Sequence, residues 1–317
     1  MFADITCRRV IFQTDGMTQA TTPAAGQARA PAADTIADDP ARIAGDAARA
    51  AGVTVRTVEE PAAIRAVADF LGAVWRMPHG AHPFPTDVLQ SLVHAGGAVH
   101  AAFAGERVAG AAVAVSGPPA ERDVYSFVAA AGSSDRGVGH AVKQAQRVWA
   151  LGIGARTMRW TYDPLVSRNA RFNLVKLGAV GSEYLVDFYG PMNDGLNDGD
   201  ETDRLTATWD LRAAAPKVPD PAEGRAAAPV LRTAPDGGPL AARDGNRLWC
   251  RVPGDIVALR AADPARALRW RHAVREVFTE AYAEGLRATA MSRDGWYLLT
   301  RPVPGAPPGP TQEENPA

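Results

Sequence analysis

Two glycines one residue apart, Gly137 and Gly139, separate a strand-like stretch from an amphipathic helix. The stretch before them, residues 124–131, is apolar, contains aromatic side chains and has the length of a strand. After the glycines, apolar residues recur at helical spacing at Val138, Ala141, Val142, Ala145, Val148 and Trp149. This spacing predicts a helix with one buried stripe, so the chain turns from a strand into a helix at the glycines.

The segments after this helix repeat the alternation of strand and helix. Residues 155–163 are predicted to form a strand, Pro164 ends it, and Ser167 is a candidate cap for the next helix. At the glycine turn the backbone can approach a ligand closely, and the N–H groups that begin the helix favour an anion. Arg136 and Lys143 suit a phosphorylated ligand, although Lys143 lies on the polar helix face, which is usually solvated.

The hexad that begins at Arg136 and ends at Ala141, Arg-Gly-Val-Gly-His-Ala, resembles the acyl-CoA pyrophosphate loop of the GNAT N-acyltransferases. The longer run that begins at Trp160, together with Asp-Phe-Tyr-Gly at residues 187–190, is similar to one bacterial branch of that superfamily. Members of this branch are predicted acetyltransferases, often encoded beside N-acylamino-acid racemases. The resemblance extends over about residues 53–301.

The resemblance implies an α+β fold in which a mixed, mostly antiparallel sheet is flanked by helices and followed by a C-terminal α/β extension. It implies transfer of an acyl group from acyl-CoA, either acetyl-CoA or succinyl-CoA, to a small-molecule amine such as an amino acid, by direct attack in a ternary complex. The implied cofactor-binding residues are Phe127, Val128, Arg136, Gly137, Val138, Gly139, His140, Ala141, Asn169 and Asn173. The implied acceptor-binding residues are Trp75, His79 and Phe84.

One position departs from the superfamily pattern. Leu174 replaces the tyrosine that often protonates the departing thiolate. An acyl-CoA enzyme must still take a proton from the amine and return one to the thiolate. Tyr189 is therefore the candidate acid and Asp187 or Glu183 the candidate base, although such residues at strand ends are also common structural ones.

Two other functions stay open. Leu174 favours a non-catalytic acyl-CoA-binding or regulatory protein. The glycine pair followed by Asp163 also suits a dinucleotide fold, in which the acid would bind a ribose. Against this fold, Val142 stands where a third glycine is needed, and the antiparallel hairpin predicted at residues 98–116 does not fit a first parallel strand.

Composition and charge exclude several function classes. With 34 basic and 35 acidic residues, the formal net charge is -1, which gives no general attraction to nucleic acid or to anionic membranes. The chain has no apolar run of membrane-spanning length. The only cysteines, Cys7 and Cys250, give no disulfide framework, which favours the cytoplasm. The pair His79 and His82 lacks a carboxylate or cysteine cluster, so no metal site is predicted. A homodimer is left open.

Changes in composition along the chain predict its organisation. The predicted segments are a disordered tail at 1–50, an acyl-CoA-binding catalytic domain at 51–212, a linker at 213–245, a C-terminal α/β extension at 246–301 and a disordered tail at 302–317. A helix beginning at Asp263 has an apolar face too wide for solvent. We expect that face to pack on the N-terminal core, on the strands that follow it or on another subunit.

Overall fold

The structure, a computed structural model, describes residues 39–77, 82–132, 136–190, 200–214 and 221–302 of the 317-residue chain. Its strands are β1 (Thr54–Val58), β2 (Ala98–Ala104), β3 (Arg107–Ser116), β4 (Asp123–Ala131), β5 (Thr157–Tyr162), β6 (Val180–Leu185), β7 (Arg204–Asp210), β8 (Val230–Thr233), β9 (Pro239–Asp244), β10 (Arg247–Arg251), β11 (Arg287–Met291) and β12 (Trp296–Thr300). Its helices are α1 (Pro40–Ala50), α2 (Pro61–Val74), α3 (Thr86–His94), α4 (Val138–Gly152), α5 (Ser167–Arg171), α6 (Ile256–Ala262) and α7 (Pro264–Ala283). A π-helical turn, Phe172–Leu177, continues α5.

The strands of the described ranges form one sheet in the order β1-β2-β3-β4-β5-β7-β6-β11-β12-β10-β9-β8. Neighbouring strands are antiparallel except β4 and β5, which are parallel and are connected through α4. Helices cover parts of both faces. The predicted α+β fold, a mixed and mostly antiparallel sheet flanked by helices, is therefore confirmed.

Alternation along the strands decides which helices cover which face of the sheet. Val99 of β2 belongs to a buried cluster with Ile64 of α2 and Leu89 of α3. Ala102 of the same strand faces the other way and packs with Val138 of α4. The β2–β3 hairpin thus lies between α2 and α3 on one face and α4 on the other.

The C-terminal strands continue the same sheet. β6 and β11 pair at Gly181 and Ala288, where a side chain on Gly181 would lie 2.9 Å from the Ala288 Cβ atom. Helix α7 contributes Trp270 and Phe278 to the hydrophobic cluster that also holds Leu205 of β7. Of the packing partners expected for this helix, both the N-terminal core and the strands that follow the helix are observed.

Two segments differ from the sequence prediction. Residues 40–50, predicted to be disordered, form α1, because Asp39 caps the helix by accepting from the Arg42 N–H (3.0 Å) and the helix packs on α4. The predicted linker at 213–245 contains β8 and β9, which pair with each other and, through β9, with β10. The proline and glycine content of this segment masks the alternation from which strands are predicted.

The rest of the two predicted tails, residues 1–38 and 303–317, lies outside the described residues. Within the ranges that are described, no helix combines the length and the apolar character needed to cross a membrane.

Candidate functional site

Strands β4 and β5 run side by side for three residue pairs and then separate. The pairs are Asp123 with Thr157, Val124 with Met158, and Tyr125 with Arg159. A cavity of about 270 Å³ opens beyond them. It is lined by Ser126, Phe127, Val128, Ala129, Ala130, Ala131, Gly139, Val142, Lys143, Trp160, Thr161, Tyr162, Asn169, Phe172 and Asn173.

Asp123 holds the two strands together at the closed end of this gap. Its carboxylate accepts from the Thr157 hydroxyl (2.7 Å) and from the Arg159 Nε (2.6 Å), both on β5. The open end begins at a β-bulge, because Ser126 lies opposite Ala114 and the next paired residue is Val128 opposite Val113.

The bulge makes Phe127 an extra residue in β4. Such a residue is left unpaired in the ladder and bends its strand. Phe127 and Val128, both predicted cofactor contacts, therefore line the cavity where β4 bends away from β5.

The glycine turn opens onto the same cavity. Gly137 has a φ of 86°, in the left-handed region that favours glycine, and caps α4. The first intrahelical hydrogen bond runs from the Ala141 N–H to the Gly137 carbonyl (3.0 Å), so the N–H groups of residues 138–140 have no partner inside the helix. Gly139 lines the cavity. Unpaired N–H groups at a helix N-terminus are suited to bind a phosphate.

The other residues of the predicted loop occupy different environments. The side chains of Val138 and Ala141 are buried in the core, so only their backbone atoms can face a ligand. Arg136 is exposed. His140 is half-buried; its burial and, to a smaller extent, the charge of Lys176 lower the His140 pKa to about 4. At neutral pH His140 therefore adds no positive charge to the turn.

The polar face of α4 is buried, although the helical pattern predicts a solvated surface. Lys143, Gln144, Gln146 and Arg147 are each at most 5% exposed. The face lies against polar partners from other elements: the Arg147 Nε, for example, donates to the Leu211 carbonyl (2.7 Å). Periodicity separates the two faces of a helix, but it does not show whether other strands cover the polar one.

Lys143 is the functional candidate that sequence reasoning undervalued. Its Nζ donates to the Ser126 Oγ (2.7 Å) and the Gln146 Oε1 (3.2 Å), and lies 4.0 Å from the centre of the Trp160 ring. Among the described residues no carboxylate pairs with it. Burial lowers the Lys143 pKa from 10.5 to about 7. A sequence signal existed, because Lys143 is one of only three lysines among the chain's 34 basic residues.

Tyr189, the predicted acid, lies on the sheet face opposite α4. Its hydroxyl is 3.3 Å from the Thr161 Oγ1, and Thr161 lines the cavity. The Arg204 guanidinium lies 5.1 Å from the centre of the Tyr189 ring. Tyr125, which the sequence analysis did not select, interacts with the hydroxyls of Thr161 and Tyr189, and its burial is the main cause of its raised pKa. Two tyrosine hydroxyls thus lie beside Thr161, which lines the cavity.

The two candidate bases differ in their environments. Glu183 is half-buried, accepts from the Thr206 hydroxyl (3.4 Å), and has a pKa raised chiefly by burial. The Asp187 carboxylate accepts from the backbone N–H (2.9 Å) and the hydroxyl (3.0 Å) of Thr202, and these bonds hold the Asp187 pKa below its usual range. Asp187 thereby fixes a turn, and the raised pKa makes Glu183 the stronger base of the two carboxylates.

The helix after β5 contributes two amides to the cavity wall. Asn169 and Asn173 both line the cavity. Asn169 is exposed, whereas Asn173 is buried and its Oδ1 accepts from the Trp160 Nε1 (3.3 Å). Leu174 is buried in the hydrophobic core, which leaves no hydroxyl at its position.

Of the predicted acceptor contacts, Phe84 meets Phe127 edge-to-face with ring centres 5.3 Å apart. Trp75 packs at the margin of the same cluster. His79 lies outside the described residues. His82 hydrogen-bonds Asp69 (2.7 Å), and no group of three or more metal-binding side chains occurs in the part of the chain that is described.

No protein-family model matches this chain, and no curated protein matches it. Among solved structures, an N-acetyltransferase from Staphylococcus aureus Mu50 is 15% identical, covers 50% of this chain and 98% of its own, and has a TM-score of 0.41. A GNAT-family acetyltransferase from Streptococcus pneumoniae is 14% identical over 49% of this chain and 98% of its own, with a TM-score of 0.41. A putative acetyltransferase from Salmonella typhimurium with its cofactor acetyl-CoA is 16% identical over 53% of this chain and 99% of its own, with a TM-score of 0.41. Likenesses of this size do not by themselves assign an activity.

Proposed function

We propose that this protein is an N-acyltransferase of the GNAT type, which moves an acyl group from acyl-CoA to the amine of a small molecule. The observation that carries the proposal is the separation of the parallel strands β4 and β5 at the Phe127 bulge, next to a glycine turn at a helix N-terminus. One end of this gap offers N–H groups for a diphosphate, and the gap itself can take an extended chain that contains amides.

The residues that would hold the donor follow from this arrangement. The N–H groups of residues 138–140 would bind the diphosphate, and the β4 backbone at Phe127 and Val128 would pair with the amide-containing arm. Asn169 and Asn173 offer further hydrogen bonds from the opposite wall. Acyl-CoA supplies an activated thioester, and the resemblance implies acetyl-CoA or succinyl-CoA as the donor.

Two proton transfers must accompany amide formation, and the face opposite α4 carries groups for both. Glu183 would take a proton from the incoming amine, directly or through water. Tyr189 or Tyr125 would donate a proton to the departing thiolate, because both hydroxyls interact with Thr161 at the cavity edge. Much of the rate would come from holding amine and thioester together in one cleft.

The acceptor would approach from the side of α2 and α3, where Trp75 and Phe84 form an apolar wall. An amino acid or related amine suits a pocket with such a wall and polar groups beyond it. The test is a screen of acetyl-CoA and succinyl-CoA against a panel of amines, with thiol release and product mass as the two measurements. Absence of an amide product with every pair would contradict the proposal.

Two variants distinguish the candidate acids. We expect Tyr189→Phe or Tyr125→Phe to lower kcat by about 10- to 100-fold while acetyl-CoA binding is retained, because the lost group acts in the transition state. The variant with the larger loss identifies the donor. If both retain full kcat, neither tyrosine protonates the thiolate.

A non-catalytic acyl-CoA-binding protein is the second candidate. Buried Leu174 favours it, because the position that often carries the acid in the resembling superfamily has no titratable group. Calorimetric binding of acetyl-CoA without turnover of any amine would support this function and contradict catalysis.

A further inference from the structure

Ser126 and Lys143 form a buried pair in the cavity wall, where β4 and β5 begin to separate. The Lys143 Nζ lies 2.7 Å from the Ser126 Oγ, and both residues line the cavity. The Gln146 Oε1 accepts hydrogen bonds from the Ser126 Oγ (2.9 Å) and from the Lys143 Nζ (3.2 Å). The arrangement is that of a nucleophile, a base and a residue that orients them.

The surroundings of Lys143 favour its neutral form. Burying an ammonium is costly unless a carboxylate pairs with it. The described residues around the Lys143 Nζ provide a hydroxyl, an amide oxygen, the Trp160 ring and the Met158 Sδ at 4.0 Å, and none of these carries a negative charge. Burial accordingly lowers the Lys143 pKa to about 7, so a large fraction of the side chain is an unprotonated amine near neutral pH. In its neutral form the Lys143 amine can accept the proton of the Ser126 hydroxyl, once that hydroxyl turns from the Gln146 Oε1 to the Lys143 Nζ.

We propose that Ser126 is a nucleophile activated by Lys143, and that the site has a second activity, hydrolysis of the donor thioester through an acyl ester of Ser126 when no amine is bound. The proposal rests on the proposed function, because it takes acyl-CoA as its substrate. The acyl ester of Ser126 would give a covalent route in addition to the direct attack of an amine on the thioester.

The chemistry balances in two steps. The Ser126 Oγ bonds to the acyl carbon as the carbon–sulfur bond breaks, and the hydroxyl proton passes to Lys143 and then to the thiolate. Water next attacks the ester: its proton goes to Lys143, the carbon–Oγ bond breaks, and Ser126 takes the proton back. The products are CoA and the carboxylic acid. The bulged residue Phe127 directly follows Ser126, so an N–H group is available beside the nucleophile to bind the oxyanion.

The experiment uses the full chain with acetyl-CoA and no amine. Calorimetry first measures acetyl-CoA binding; acid-quenched samples are then digested and mapped by mass spectrometry, with and without hydroxylamine, which cleaves esters but spares amides. The variants are Ser126→Ala, Lys143→Met and, as a matched serine control, Ser116→Ala at the exposed end of β3. Thermal unfolding of each variant checks that it folds.

We expect an acetyl group on Ser126 that hydroxylamine removes. We also expect slow CoA release that Ser126→Ala abolishes, Lys143→Met lowers about 100-fold or more, and Ser116→Ala leaves unchanged. A hydroxylamine-resistant acetyl group on Lys143, or acetyl-CoA binding without any ester, would overturn the inference and leave the acyltransferase proposal intact. Failure to bind acetyl-CoA would overturn both.

Discussion

The Val138 side chain occupies the space in front of Gly110, so that a β-carbon on Gly110 would lie 2.5 Å from the Val138 Cγ1. Val138 is the first residue of α4, and Gly110 lies in the middle of β3. The Val138 side chain thus packs directly against the β3 backbone at Gly110. This contact fixes where α4 begins over the sheet. The position of the proposed phosphate-binding turn therefore depends on the absence of a side chain two strands away from β5.

The Gly110→Ala variant tests this dependence. The added methyl group would also lie 3.2 Å from the Ala130 carbonyl oxygen, so both β4 and α4 would have to shift. We expect the free energy of unfolding to fall by about 1–3 kcal/mol in urea denaturation. Acetyl-CoA affinity should fall as well, because α4 shifts. Gly152→Ala, whose added carbon meets no atom within 4 Å, is the control, and equal stabilities of the two variants would contradict the expectation.

A substitution at Gly139 should affect ligand binding without lowering the stability of the fold. A β-carbon there would make an ordinary contact with the Ala131 Cβ (3.8 Å), and alanine favours the helix by roughly 0.5–1 kcal/mol. We therefore expect Gly139→Ala to keep or raise the melting temperature while it weakens acetyl-CoA binding about tenfold or more, because the methyl group blocks the approach to the turn. Gly152→Ala gives the same helical gain at the far end of α4. Unchanged affinity in Gly139→Ala would show that CoA does not bind at this turn.

The local features of the site could be predicted from the sequence. Gly137 and Gly139 indicate the turn, because glycine allows the sharp change of direction between a strand and a helix. The apolar spacing after Val138 predicts the helix. The α+β fold was predicted from the resemblance that these residues carry to the GNAT acyltransferases. Residues 40–50 were predicted incorrectly, because their apolar side chains are mostly small alanines, and α1 is stabilised by packing on α4.

Features that depend on distant residues could not be predicted. The gap between β4 and β5 depends on which neighbours each strand pairs with, and the bulge at Phe127 is visible only against Val113 and Ala114 of β3. Lys143 has a polar position in the helical pattern, but it is buried against Ser126 of β4. These contacts join residues far apart in sequence, where periodicity carries no information.

The buried Lys143 should make stability depend on pH. Between pH 7 and 10.5 the unfolded chain holds a proton on this lysine that the folded chain has released, so the free energy of unfolding rises with pH in this window. We expect the wild type to gain on the order of a few kcal/mol across it relative to Lys143→Met, and the variant to be the more stable protein at pH 6. His100, which faces Lys143 from β2, has a pKa lowered to about 4 by burial and so stays neutral throughout.

The measurement is urea denaturation of wild type and Lys143→Met at pH 6, 7.5 and 9. Lys176→Met, at an exposed lysine of the π-helical turn, is the matched control and should follow the wild-type dependence on pH. If the stability difference between wild type and Lys143→Met is the same at all three values, Lys143 does not lose its proton on folding.

His100 should be replaceable with a gain in stability. Neither ring nitrogen has a hydrogen-bond partner among the described residues, and the ring stacks edge-on against Trp149 at 5.8 Å. We expect His100→Leu to raise the free energy of unfolding by about 1–3 kcal/mol, because a buried unpaired polar group is removed. The gain should grow as pH falls from 6.5 to 4, where the unfolded chain takes up a proton that the folded chain excludes. His140, with a similarly lowered pKa, keeps part of the acid sensitivity. A loss of stability at pH 5 would refute the prediction.

Arg271 should be among the most sensitive positions outside the cavity. This fully buried guanidinium donates to Asp200 through its Nε (2.8 Å) and Nη2 (2.7 Å), and to Asp163 at the end of β5 (3.2 Å). Burial opposes ionisation of both carboxyls, and the charges of Arg271 and Arg260 outweigh it and hold both pKa values low. We expect Arg271→Met to lower the free energy of unfolding by about 3–5 kcal/mol, because Asp163 and Asp200 would then have only Arg260 of this pair of arginines as a partner.

The loss in Arg271→Met should be smaller at pH 4 than at pH 7, since protonation removes the uncompensated charges. Arg232→Met is the matched control, because Arg232 pairs with Glu276 (3.0 Å) and Glu280 (2.5 Å) at the surface and should cost less than about 1 kcal/mol. Both variants are compared by urea denaturation at the two pH values. An equal and small decrease in the free energy of unfolding for the two variants would contradict the prediction. It would show that the C-terminal segment is held chiefly by its apolar contacts and not by the buried ion pairs between α7 and the end of β5.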